Sequence, residues 1–220
     1  MTTELPLFPL HTVFFPRMLM PLHIFEDRYK VMVEYCMRHS RPFGIVLIRS
    51  GHEVGGPAEP FDIGTRAEIL RVIEMEDHTK HIIVRGLDRF IIRGLRETEP
   101  YLVGEVEDFP LITEGVDDAL LARVEIRFYR YLRLLKEAQG LSITINNLPE
   151  DAEGVAWMVA WGLQVDLAER QALLSLPRLQ DILLKEEALL RKEVEILQML
   201  TLEQVKRRMP PAEMGYLSFN

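Results

Sequence analysis

The residues able to do chemistry come first. Gly51 and Gly56 in "GHEVGGPA" (51–58) have the spacing of a phosphate-binding loop. Such a loop needs Lys and Ser or Thr next, for the phosphates and Mg²⁺. Pro57 and Ala58 stand there instead, so the stretch reads as a flexible loop. The six histidines are His11, His23, His39, His52, His78 and His81. Only His78 and His81 are close in sequence, in or beside an expected hairpin turn with no cysteine nearby, so no metal site is expected. The single cysteine, Cys36, falls on the inward stripe of an expected helix and reads as core, not as a nucleophile. A G-x-S-x-G elbow is absent. A Ser–Lys dyad has no local motif to search for. Ser40, Ser50, Ser142, Ser175 and Ser218 lie in loops or at element ends without a companion signal. The expectation is a chain with no catalytic residue, metal or cofactor, the rival being an unrecognised hydrolase.

Binding is the other kind of chemistry. "LPLFPLHTVFFPRMLMPL" (5–22) is apolar and cut by Pro6, Pro9, Pro16 and Pro21. Proline keeps such loops from collapsing into helix, so Phe14, Met18 and Met20 are candidate polypeptide contacts. The alternative is core for most of these side chains. The ten methionines offer adaptable contacts of the same kind. A second candidate surface is basic. Arg123, Arg127 and Arg130, with Arg133 and Lys136, form a stripe on one helix that would suit RNA. Glu125 and Glu137 balance it, and no aromatics alternate with the arginines as single-strand binding needs. The net charge of −8 is also even, with 13 Lys and Arg against 17 Asp and Glu in each half. Nothing global therefore draws the chain to nucleic acid or anionic lipid.

The elements that must position these residues fall into two groups. Nine of 13 prolines and eight of 13 glycines occur by residue 110, so short elements come first and long helices follow. "FGIVLI" (43–48) reads as a buried strand, and "AEILRVIEM" (67–75) with "HIIVRG" (81–86) as a hairpin. "RFIIRGL" (89–95) and "YLVGEVEDF" (101–109) add two strands. Pro6 and Pro9 suit an edge or irregular strand. One helix interrupts the strands, from Asp27 to about Arg38, with Tyr29, Val33, Cys36 and Met37 inward. Many short strands with one helix suggest a closed or nearly closed barrel.

Helices follow: 115–138, with Val116, Leu120, Val124, Phe128, Tyr131 and Leu135 on one stripe; 151–163, with Trp157 and Trp161 one turn apart; one begun by "DLAE" (166–169), where Asp166 can cap; and the longest, from Pro177 to about Leu200. On the last, Ile182, Leu189 and Ile196 step by seven, as do Leu183, Leu190 and Leu197. They must pack on something, either this chain or a second copy in a coiled coil through that helix. No Lys or Arg precedes the opening stretch as a signal peptide requires, and no window of about twenty residues is free of charge. The chain reads as a cytoplasmic protein that does not enter the membrane.

Taken together, "LPLFPLHTVFFPRMLMPLHIFEDRYKVMV" resembles the start of the N-terminal LON domain of Lon proteases. Pro6, Leu7, Pro9, Leu10, Phe15, Pro16, Pro21 and Leu22 fill the family's P-L-x-P-L, F-P and P-L places. "IFEDRY" (24–29) is similar to the version in stand-alone bacterial LON-domain proteins. "IGTRAEILRV" (63–72), "HIIVRGLDRFII" (81–92), "VDLAERQALL" and "EEALLRKEVEIL" follow in the family's order. The resemblance implies an α+β fold: a β-rich PUA-like pseudobarrel with one helix over residues 1–112, a helical bundle over 113–209 and a tail over 210–220. It implies a non-catalytic module that binds unfolded segments or a specific protein partner. With Asn220 as the last residue, no room is expected for the ATPase and peptidase of the longer chains. Alternatives are a PUA-like RNA binder and an adaptor of a separate ATP-dependent protease.

Overall fold

The computed structural model describes residues 2–56, 58–98, 100–139 and 147–208. Ser142, Ser218, Pro57 and the 210–220 tail lie outside them. Seven strands come first, interrupted by one helix: β1 (Thr3–Leu10), β2 (Leu19–Ile24), α1 (Asp27–His39), β3 (Phe43–Gly51), β4 (Ala58–Pro60), β5 (Ile63–Glu74), β6 (Lys80–Thr98) and β7 (Tyr101–Asp108). Four helices follow: α2 (Asp118–Gln139), α3 (Ala152–Gly162), α4 (Leu167–Leu174) and α5 (Leu179–Arg208).

Five strands pair in a ring. β1 pairs with β7, β7 with β6, β6 with β5, β5 with β3, and β3 runs parallel to β1. β1 is therefore not an edge. Residues Thr3–Pro6 pair on β7 and Leu7–Leu10 on β3, so at each proline only one side of the strand carries a ladder. The two expected strands at 81–86 and 89–95 are one strand, β6. Its register on β5 slips between Thr65 and Ala67, and that bulge lets the pairing run through Gly86–Arg89 without a break. β2 lies on the outer side of β6, from Leu19 opposite Arg85 to Ile24 opposite Lys80.

The α1 helix covers one part of the ring, with Phe8 and Tyr29 rings 4.1 Å apart. Tyr29, Val33 and Cys36 are buried as expected, but Met37 is exposed and Met32 takes the inward place. Burial pushes the Cys36 thiol up to about 11, so the nucleophilic thiolate is scarce at neutral pH. The thiol should stay unlabelled by a disulfide reagent at pH 7 and react in one equivalent after denaturation. Rapid labelling of the folded chain would contradict its buried place. The 51–56 loop makes several hydrogen bonds to α1 and its N-cap and to the end of β1. Arg28 donates to the Gly56 and Glu53 carbonyls, Gly55 N–H to Glu26, and His11 N–H to Glu53.

The helices share a core with the ring. Val13, Phe15 and Leu47 join Leu120, Phe128, Trp157 and Leu183 in one buried cluster. Two polar ties cross the same seam. Gln171 Nε2 donates to the Ile63 carbonyl at 2.9 Å. Arg89 Nη1 donates to the carbonyls of Leu174 and Leu176, at the end of α4, at 2.7 and 2.6 Å. α2 and α5 run parallel, since Asp117 N–H meets Gln180 and Arg123 meets Glu187. Ile182, Leu183, Leu189, Leu190 and Leu197 are buried within this chain, while Ile196 is exposed. Each such burial stabilises by roughly 1.5–3 kcal/mol. Asp166 caps α4 through Glu169 N–H, but the Glu169 carboxylate reaches Lys185 of α5 and not its own cap.

Candidate functional site

The loop that joins β1 to β2 is set by close backbone contacts. Phe14 is fixed by its carbonyl, which accepts from the Thr65 hydroxyl at 2.5 Å. Arg17 then adopts φ 63, a conformation that non-glycine residues rarely take. That turn lets Arg17 N–H donate to the Gly86 carbonyl at 2.8 Å and Gly86 N–H to the Met18 carbonyl at 2.9 Å. Met18 and Leu19 are thereby held beside α3.

α3 is placed to meet them. Asp151 caps it by accepting from Gly154 N–H at 2.9 Å, and its other oxygen accepts from Arg17 Nη1 at 2.7 Å. The guanidinium holds the Asp151 carboxyl below the usual aspartate range, with the Gly154 N–H adding to the effect. Trp157 is buried, stacks on Phe15 at 6.0 Å and donates its indole N–H to Glu153 at 3.1 Å. Trp161, one turn on, is 51% exposed.

Between loop and helix lies an open groove of about 340 Å³, lined by Pro16, Arg17, Met18, Leu19, Pro149, Gly154, Trp157, Met158 and Trp161. Its wall is almost wholly apolar. Leu19 is 57% exposed. Large apolar side chains left in water around a concavity are the usual mark of a binding surface. A second, polar cavity of about 300 Å³ lies behind it and shares Pro16, Arg17 and Trp157 as wall.

The candidates named from sequence separate here. Met18 lines the groove and is half-buried. Both Met18 and Met20 pack on the cluster under α1, but Met20, also half-buried, is not part of the groove lining. Phe14 is 1% exposed, so for this candidate contact the core alternative holds: its pinned carbonyl turns the ring into the core with Met32 and Phe43. Leu19, Met158 and Pro149 were not anticipated. The one signal in the sequence was the pair Trp157 and Trp161 at helical spacing. The arginines serve elsewhere. Arg123 and Arg127 both reach Glu187 Oε1 of α5, at 3.1 and 3.6 Å, so Glu187 balances them, not the Glu125 and Glu137 of their own helix. Arg130 is exposed on α2. His81 is stacked on His23, across the β2–β6 pair, at 4.6 Å, and no cluster of three or more metal-ligating side chains occurs among the described residues. No helix among them is long and apolar enough to cross a membrane.

Comparison with known proteins places this geometry. The family model for the ATP-dependent protease La (LON) substrate-binding domain matches residues 4–192. Lon protease of Porphyromonas gingivalis is 28% identical over 220 aligned residues, and Lon protease of Escherichia coli 25% over 219. These alignments take in 94% and 97% of this chain but only 26% and 28% of those proteins, so the chain spans about a quarter of their length. The crystal structure of a Lon N-terminal domain protein from Xanthomonas campestris superposes with a TM-score of 0.63 at 25% identity, over 94% of this chain and 99% of that one. The N-terminal domain of Mycobacterium avium complex Lon protease has the same fold, with a TM-score of 0.65 at 18% identity over 86% of this chain and 98% of that one.

Proposed function

This chain belongs to the ATP-dependent protease La (LON) substrate-binding domain family, and from that premise we propose that it is a non-catalytic polypeptide-binding module whose groove takes extended apolar segments. The strand ring is read as the PUA-like pseudobarrel of that family and α2–α5 as its bundle. One observation carries the reading: exposed Leu19 and Trp161 face a concavity completed by Met18, Met158 and Trp157. Its two sides are rigid for different reasons. The loop is held by backbone bonds to Gly86, and α3 by its cap and by Trp157 stacking on Phe15. Rigid walls lower the entropy cost of binding. The flexible thioethers of Met18 and Met158 supply tolerance for different apolar side chains.

Photo-crosslinking to an unfolded model protein tests this. The adduct should map to 16–19 or 158–161. Leu19→Asp and Trp161→Ala, both at exposed positions, should each weaken binding about tenfold, the scale of an aromatic anchor lost from an interface. Capture no better than that of an unrelated acidic protein would sink the proposal.

A further inference from the structure

Arg89 is 3% exposed, yet among the described residues it makes no ion pair. Its guanidinium lies over the Phe109 ring at 4.6 Å and the Trp157 ring at 5.2 Å. Nη1 is spent on the two carbonyls that end α4. Nη2 is buried without any hydrogen-bond partner. A buried cation with an unspent donor is costly unless an acceptor arrives, and carboxylate is the acceptor that matches a guanidinium best in charge and shape. Arg89 lines the polar cavity, with Gly86, Leu87, Phe109 and Pro110 around it.

We propose that this cavity is a carboxylate subsite: a polypeptide held in the apolar groove places a carboxylate, its own terminus or an acidic side chain, against Arg89 Nη2. The inference rests on the polypeptide-binding reading and names which segments bind best. Geometry supports the link, since Pro16, Arg17 and Trp157 form the partition between the two cavities. A ligand long enough to pass these three shared residues therefore reaches both cavities. The cavity's own carboxylates leave room for the newcomer. Glu153 already accepts from the Trp157 indole and lies 3.7 Å from Arg17. Asp88 is exposed, where water and salt screen it. Nη2 is itself covered, so the ligand oxygen reaches it as a lining side chain moves aside. Burial also draws the Arg89 pKa down to about 10, and the negative charge of Glu153, in the same cavity, opposes the shift.

The chain's two tryptophans, Trp157 and Trp161, both line the groove, so intrinsic emission reports binding directly. Three short acetylated apolar peptides are titrated against the full chain: one with a free carboxyl terminus, the same peptide amidated, and an amidated peptide with one internal Asp. The free acid should bind about tenfold more tightly than its amide, as loss of a charge-assisted hydrogen bond implies. Arg89→Met should close that gap. Should the variant fail to fold, the acid–amide comparison on the unaltered chain still decides. A match between the Asp peptide and the free acid assigns any carboxylate as ligand, and a gain for the free terminus alone assigns chain ends. Equal affinity of acid and amide overturns the subsite and leaves the groove standing. No emission change with any peptide overturns both.

Discussion

Replacing Glu186 by Gln should make the protein more stable at neutral and alkaline pH, and should remove a slope from its stability profile. Glu186 lies on α5 with no exposure, and neither carboxylate oxygen has a hydrogen-bond partner. Burial holds its pKa well above the usual carboxylate range. The Ala160 N–H of α3 pulls weakly the other way but does not reach hydrogen-bonding geometry. In the unfolded chain the same group ionises at about 4.3. Between that value and the raised folded value, the native state holds a proton that the unfolded state has released. Stability from this group is thus complete below the unfolded pKa and is lost as pH rises through the folded pKa. Melting temperatures of wild type and Glu186→Gln should converge near pH 4 and separate progressively toward pH 9. The gap should reach roughly 1–3 kcal/mol, the scale for relieving a buried unpaired polar group. That corresponds to about 2–4 °C per kcal/mol for a chain this size. Glu186→Met, similar in volume and apolar, should gain at least as much. Parallel curves for wild type and variant across that range would refute the assignment.

The second large effect is steric. Gly86→Ala should cost roughly 2–3 kcal/mol and disable the groove in whatever fraction stays folded. A Cβ on Gly86 would meet the Phe15 carbonyl oxygen at 2.2 Å, then the Phe15 carbonyl carbon at 3.1 Å and Pro16 Cα at 3.2 Å. All three are backbone atoms, so no side-chain rotation relieves the clash. The 15–18 loop must lift, which breaks its two hydrogen bonds to Gly86. Each contributes about 0.5–1.5 kcal/mol net, and Phe15 loses part of its stacking on Trp157. Thermal denaturation measures the first loss and tryptophan emission the second, because Met18 and Leu19 would retreat from the groove. A melting temperature within about 1 °C of wild type, with peptide binding intact, would show that the loop yields more readily than its contacts imply.

These two residues show where local pattern stops being informative. Glu186 sits in "LLKEEALLRKE" and looks like one more charged face of an amphipathic helix. Its burial depends on where α3 crosses α5. Gly86 looks like strand punctuation. Its need for no side chain depends on a loop about seventy residues earlier in the chain. Phe14 and Met18 are both apolar residues near a proline, and only the Thr65 bond to the Phe14 carbonyl and the Arg17 turn decide which faces in.

Elements whose determinants are near in sequence were legible. The β5–β6 hairpin, the α1 stripe of Tyr29, Val33 and Cys36, the α2 stripe from Leu120 to Leu135 and the Asp166 cap rest on spacing within a few residues. Spacing translates directly into a face or a turn, because helix and strand periods are fixed by backbone geometry. The family order of motifs from residue 5 to about 200 was legible for the same reason, being a linear record. The groove was not. It is made where Arg17 meets Asp151, 134 residues apart, and the polar cavity beside it depends on Arg89 meeting the end of α4, 85 and 87 residues on. Contacts at such separation are set by how the strand ring and the helices pack, and no periodicity within either records it. The sequence by itself determined most of the elements, their order and the family. Tertiary packing alone decided which apolar side chains stay in water and that Arg89 Nη2 is buried without an acceptor.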